Sequence, residues 1–293
     1  MTTTAGESAR VASWRLLLRN PVTVVSAAVL AVVVVVAVTA NWLAPFGVND
    51  VDVPNALQPP SGAHWFGTDE LGRDVLSRVL VAISASMRVA VVSVAFAVVV
   101  GVTIGVLAGY RGGWIDTIFM RIVDVMFAFP VLLLALAVVA ILGPGVTTTI
   151  LAIGTVYTPI FARVARASTL SVRVEPFVQV SRAMGTGHLY ILGRHIIPNI
   201  AGPLIVQTSL SLAFAILSEA ALSFLGLGIQ PPEPSLGRMI FDSQGFVTLA
   251  WWMAVFPGAA IFVIVLAFNL AGDGLRDVLD PKQRTMIEAR GQR

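Results

Sequence analysis

The sequence predicts an all-α membrane protein of six transmembrane helices, with one large polar segment between the fourth and fifth. Three observations carry this. The 293-residue chain is 57% hydrophobic and only 12% charged, about half the charged share of a soluble domain. Five windows, 20–49, 89–110, 125–162, 195–218 and 243–272, contain no Asp, Glu, Lys or Arg. A polar island from Arg163 to Asn199, RVARASTLSVRVEPFVQVSRAMGTGHLYILGRHIIPN, interrupts that apolar text.

A helix needs about 20 residues, at 1.5 Å each, to cross the roughly 30 Å hydrocarbon layer. Four windows fit one span each. The window 125–162 fits two, divided at Gly143-Pro144-Gly145, where glycine and proline favour a turn. The predicted spans are 22–42, 89–110, 118–142, 147–163, 200–223 and 248–271. Arg10, Arg15 and Arg19 precede the first, as in a signal peptide. Its apolar run is too long for one, and no small-residue cleavage site ends it, so it reads as a retained helix. Cysteine is absent, which excludes disulfides, thiolate metal sites and cysteine catalysis.

Six spans put both termini on one side. With the termini in the cytoplasm, fifteen Lys and Arg fall on that face, against Arg73, Arg78, Arg88 and Arg238 on the other. This positive-inside bias makes the island cytoplasmic and places 43–88 and 224–247 outside. The chain then divides into an N-terminal tail (1–21), a first helix with a long external loop (22–87), a five-helix core (88–271) that includes the cytoplasmic segment 164–199, and a C-terminal tail (272–293).

The first external segment carries Pro54, Pro59, Pro60 and Gly62, then a pattern for a short helix near 70–85. Thr68, followed by Asp69, Glu70 and Leu71, would start that helix by satisfying free N–H groups. The second external segment holds Pro231-Pro232, Pro234 and a helix too short to span. Within the island, Glu175-Pro176 is a helix start, since proline suits the first turn. Residues 176–184 then form about two turns, Gly185 permits a bend, and Thr186 would cap a second short helix over 187–195. Pro198 and Asn199 mark re-entry. The plain reading is an amphipathic loop; the functional one is a docking element for a soluble partner.

Few polar groups lie in the spans. Glu219 would cost about 2–4 kcal/mol facing lipid near the membrane centre, so it should face the bundle or a pathway. A structural partner, a backbone donor or an arginine, is the preferred reading. Small neighbours Ala220, Ala221, Gly226 and Gly228 suit close packing. Asp124 is expected to pair with Arg121, and Pro130 to mark a helix bend or pore-lining surface. Met126, Met184 and Met239 read as packing.

Four segments carry a family resemblance. The island follows the pattern EAA-x3-G-x9-I-x-LP in the register Gln179-Val180-Ser181, Gly185, His195, Ile197 and Pro198. The others are HWFGTDELGRDVLSR (His64 to Arg78), SEAALSFLGLGIQPP (Ser218 to Pro232) and GDGLRDVLDPK (Gly272 to Lys282). Over about residues 60–285 the chain resembles the C-type permease subunit of bacterial dipeptide/oligopeptide ABC importers. One departure is clear. The family glutamate falls on Gln179 and its alanines on Val180 and Ser181, while Glu175 stands four residues early. Glutamine keeps a hydrogen bond but supplies no charge.

The resemblance implies the ABC type I importer permease fold and a role for each motif. Glu175, Gln179, Ser181, Arg182, Gly185, His195, Pro198 and Asn199 would couple the chain to an ATPase. Thr68, Asp69, Arg73, Asp74 and Arg78 would build the external gate or loop. Asp124 and Glu219 would be polar groups of the pathway or membrane interior. Asp273, Arg276, Asp277 and Asp280 would lock the end of the last helix through ion pairs and caps. The implied partners are a homologous B-type permease, two ATPase subunits or one fused double ATPase, an extracytoplasmic substrate-binding protein and the lipid bilayer of a bacterial cell membrane, with no nucleic acid.

The chain itself reads as noncatalytic. GxxxxGK[ST] is absent, Gly185-Thr186-Gly187 lacks the lysine of a phosphate loop, and His64, His188 and His195 are isolated. No cofactor is expected on it; ATP and Mg belong to the partners. Alternatives are the same architecture importing nickel, haem or another small solute and, more remotely, a stand-alone secondary transporter. The latter would want intramembrane ionisable pairs and inverted repeats.

Overall fold

The computed structural model describes residues 21–279. All of its regular elements are helical. Five helical stretches are long and apolar enough to cross a membrane: Pro21–Leu43, Val75–Arg111, Val146–Val172, His188–Phe224 and Trp252–Asp277. A sixth crossing is broken. Its halves, Gly113–Phe127 and Val131–Leu142, meet at 93°. The break falls at Pro130, which lacks an N–H donor and disfavours helix in the residue before it. The bend expected there is present.

In chain order the helices are α1 (Pro21–Leu43), α2 (Val75–Arg111), α3 (Gly113–Phe127), α4 (Val131–Leu142), α5 (Val146–Val172), α6 (Pro176–Ala183), α7 (His188–Ile191), α8 (Ile197–Phe224), α9 (Leu236–Asp242) and α10 (Trp252–Leu279). A π turn, Leu192–Ile196, joins α7 to α8 without a break. Two expectations are corrected here. The external helix near 70–85 is no separate element; it is the first third of α2, capped by Asp74, whose carboxylate accepts from Ser77 N. Thr68 caps nothing. The second island helix is likewise the start of a continuous 188–224 stretch, with Gly187 rather than Thr186 at its cap position.

The most intimate helix pair is α2 with α5. Gly101, Gly105 and Gly109 recur every four residues and so share one face of α2. A Cβ at Gly105 would lie 2.8 Å from Ala165 Cβ, and one at Gly109 would lie 2.9 Å from the Arg166 carbonyl. Such closeness lets backbones approach, as membrane helix pairs require. The register has a second consequence. Gly101 faces Thr158, Gly105 faces Ala162, and Gly109 faces Arg166, so α2 and α5 run parallel. Two parallel crossings need one antiparallel crossing between them, and bent α3–α4 supplies it.

Two apolar clusters result. The larger joins α1, α2, α4, α5, α8, α9 and α10, with Phe161, Ile216, Leu222 and Ile264 among its buried members. The smaller lies at the other end, where α2 and α5 meet the 176–200 segment: Val106, Tyr110, Ala165, Val178, Ile191, Ile196 and Ile200.

Candidate functional site

The smaller cluster is the floor of the polar island. α6 begins as its sequence suggests, with Glu175 at the cap and Pro176 in the first turn. Val178 points inward and is fully buried. Arg182 sits 4.6 Å above the Tyr110 ring, and the Tyr110 hydroxyl is 2.9 Å from His188 Nδ1. One aromatic at the end of α2 therefore holds both α6 and α7. At Gly185 the chain turns with φ 76°. Gly185 N donates to Arg182 O and Thr186 N to Ser181 O, closing the helix end with paired bonds.

His195 ties the two halves of the island together. Its Nε2 lies 3.2 Å from Ser181 Oγ, and its ring stands between Phe177 and Tyr190, at 5.8 and 5.9 Å. Asn199 Nδ2 donates to His195 O at 2.7 Å, and Pro198 occupies the first turn of α8. Gln179 donates its amide to Val174 O at 2.9 Å. The outer face is different in kind. Met184 is 79% exposed and Leu189 86% exposed, with Val180 and Tyr190 beside them. The expectation that Met184 packs inside is corrected: it stands on an apolar ridge turned away from the bundle. Met239, by contrast, is buried.

Three arginines brace this end. Arg166 grips Asp116 with two hydrogen bonds, and Arg173 Nη1 donates to Gly109 O at 2.7 Å. Arg163 pairs with Asp124 at 2.7 Å and lies 4.0 Å over the Phe127 ring. The Arg121 partner expected for Asp124 is therefore replaced by one from α5. Both ends of that pair are about half exposed.

On the opposite end, the 64–78 motif folds into a compact knot. Thr68 Oγ1 donates to Asn55 O and accepts from Gln58 N, while Thr68 O accepts from Trp252 Nε1. Asp69 accepts from Leu71 N and Arg73 N with Oδ1, and from Arg73 Nε with Oδ2 at 2.6 Å. Arg78 lies 3.5 Å from the same carboxylate and donates to Val48 O. Asp74 binds His64 Nδ1 as well as Ser77. Phe66 stacks on Phe256 at 3.8 Å, fixing the knot to α10. The motif's polar groups thus face one another, as structural ties. Glu70 is the strained member: its Oε1 takes Arg73, but buried Oε2 has no partner. Burial, then the neighbouring Asp69 charge, raises its pKa above the ordinary carboxylate value.

Glu219 is 0% exposed and accepts from Ser86 Oγ at 2.6 Å and Ser223 Oγ at 2.7 Å. It faces the bundle, as lipid cost demands. Its partners are two hydroxyls rather than the backbone donor or arginine expected. Gly228 packs on Ser223 and Gly237 on Ala220, closing the loop over this site. The lock expected at Asp273, Arg276 and Asp277 is not built from ion pairs among the described residues. These three are exposed, while Gly272 and Gly274 between them press on Ser209 and Thr23. Asp280 lies outside the described residues. No group of three or more His, Cys, Asp or Glu is placed to hold a metal among the described residues.

Known proteins resemble this chain in sequence and fold. The family model described as binding-protein-dependent transport system inner membrane component matches residues 101–285. The chain belongs to this family. A second model, the N-terminal TM domain of oligopeptide transport permease C, matches residues 10–60. The dipeptide transport system permease protein DppC of Alkalihalophilus pseudofirmus is 42% identical over 93% of this chain and 90% of its own. The glutathione transport system permease protein GsiD of Pectobacterium atrosepticum is 42% identical, covering 93% and 91%. The probable D,D-dipeptide transport system permease protein DdpC of Escherichia coli is 43% identical, covering 90% and 88%. An inward-facing structure of the MetNI methionine ABC transporter matches with TM-score 0.56 at 19% identity, covering 68% of this chain and 94% of that one. It shows the fold, the ABC type I importer permease fold. The chain is accordingly a noncatalytic, multi-pass permease component of a transport system with several subunits.

Proposed function

We propose that this permease forms half of the translocation pathway of an ATP-driven importer of dipeptides or oligopeptides, and that residues 175–199 transmit the motion of partner ATPases to its helices. The observation that carries the coupling role is the two-faced build of that segment. Its inner face is fixed to the ends of α2 and α5 by Val178, Tyr110 and Ile191, and its outer face offers Val180, Met184 and Leu189 to a partner. An apolar ridge on an otherwise polar surface marks a protein contact. Because the ridge is anchored to the same helices that carry the glycine stripe, displacing it must move them. Short peptides as cargo rest on the relatives, which are named for dipeptide, D,D-dipeptide and glutathione transport.

In this reading both termini and the 175–199 segment are cytoplasmic, and the knot around Asp69 and the loop around Gly228 lie outside. The partners are a second, B-type permease, two ATPase subunits or one fused double ATPase, and an extracytoplasmic substrate-binding protein. ATP and Mg act in the ATPases. The four blocks, 1–21, 22–87, 88–271 and 272–293, then correspond to tail, first helix with external loop, permease core and tail. Affinity purification in mild detergent tests the assembly. Co-purification of a second permease, ATPases and a binding protein is expected; recovery of this chain alone, under conditions that keep other ABC importers whole, would reject it.

A further inference from the structure

We infer a phospholipid site in the wedge between α2 and α3, holding one acyl chain and the phosphate of an anionic headgroup. A groove of about 310 Å³ opens there, lined by Leu107, Arg111, Trp114, Ile115, Ile118 and Phe119. The volume falls in the range of small-molecule sites. Its walls are aliphatic and aromatic, and its mouth carries one cation. The wedge exists because the chain reverses over two residues, Gly112 and Gly113, at φ 67° and 60°.

Depth decides the occupant. The charge-free run of α2 ends at residue 110, so Arg111 stands one residue beyond the apolar stretch. A guanidinium there sits at headgroup level, while Leu107, Ile115, Ile118 and Phe119 lie along the acyl chains. Trp114 is 73% exposed at the same boundary, the depth at which tryptophan concentrates. The neighbouring arginines of α5 and its C-terminal cap are engaged, Arg173 with Gly109 O, Arg166 with Asp116 and Arg163 with Asp124, and Arg121 stands outside the groove. Arg111 has no hydrogen bond or ion pair among the described residues. An apolar slot under an unpaired cation at this depth fits an amphiphile with an anionic head, and the surrounding bilayer supplies one.

The site goes beyond the importer reading and does not depend on cargo or ATPases. Its test uses the full chain, extracted from membranes with whatever stays bound and reconstituted with brominated lipids. The signal is the fluorescence that Trp114→Phe removes. Brominated phosphatidylglycerol should quench it with about fivefold preference over brominated phosphatidylcholine, the share one arginine supplies at an anionic surface. Arg111→Ala should abolish the preference, Arg111→Lys should keep most of it, and Arg121→Ala, on α3 but outside the groove, should leave it intact. Equal quenching by the two lipids would mean ordinary boundary lipid. Protection from both would mean that another protein covers the groove. Either result overturns the proposal.

Discussion

Gly185 shows how a single residue sets the shape of the 175–199 segment. Nothing lies within 4 Å of the Cβ it lacks, so any penalty on substitution comes from its φ of 76° and not from crowding. A β-branched residue is a genuine outlier there, whereas asparagine tolerates the left-handed region. Gly185→Val should uncouple ATP hydrolysis from uptake in a reconstituted complex, and Gly185→Asn should retain most coupling; equal loss in both would place the cause elsewhere. Glu219 makes a contrasting case. Glu219→Ala strands two buried hydroxyls, each costing about 1–3 kcal/mol, while Glu219→Gln keeps an acceptor. Thermal unfolding in detergent should fall strongly for the first and little for the second. Glu70 predicts a pH effect. Its pKa is raised by burial, so its favourable contribution is present in acid and lost as pH climbs through the raised value. Unfolding temperatures measured between about pH 4 and pH 8 should show wild type losing ground to Glu70→Gln on the alkaline side. A constant difference would remove the assignment.

At the scale of elements, α2 against α5 is the seam on which the bundle depends. Gly105→Leu would force a side chain into the Ala162 carbonyl, the Ala165 Cβ and the Arg166 amide and should cost about 1–3 kcal/mol, read as lost assembly or a lower unfolding temperature; unchanged assembly and melting would contradict the close packing. Crossing segments were legible in the sequence because charge-free windows are a bulk property that neighbours cannot hide. The bend at Pro130 and the start of α6 at Pro176 were legible for the same local reason, a missing N–H. Boundaries inside continuous helices were not. Thr68 looks like the cap in a one-dimensional reading, but it pairs with Asp74 across a backbone bridge, and Asp74 is the residue that caps α2. Partners across helices were also hidden. Asp124 has Arg121 three residues away, yet it reaches Arg163 because α5 lies alongside. The four-residue spacing of Gly101, Gly105 and Gly109 was a usable signal for the α2–α5 contact.

For the whole molecule, the two ends of the bundle have distinct constructions. One end is a knot of mutually satisfied polar groups, Thr68, Asp69, Arg73, Asp74 and Arg78, held to α10 by Trp252 and Phe256. The other is the 175–199 segment, seated on Tyr110 and Val178 with an apolar outer ridge. Under the coupling proposal the knot is the fixed end and this segment the driven one, joined by closely packed helices. The measurement that tests this most directly is site-specific photocrosslinking from Leu189 in the intact importer, with Trp65, also exposed, as the probe on the opposite end. Crosslinks from Leu189 to an ATPase subunit, with none from Trp65, are the predicted result. Crosslinks from Leu189 to the substrate-binding protein, or ATPase crosslinks from Trp65, would contradict the account.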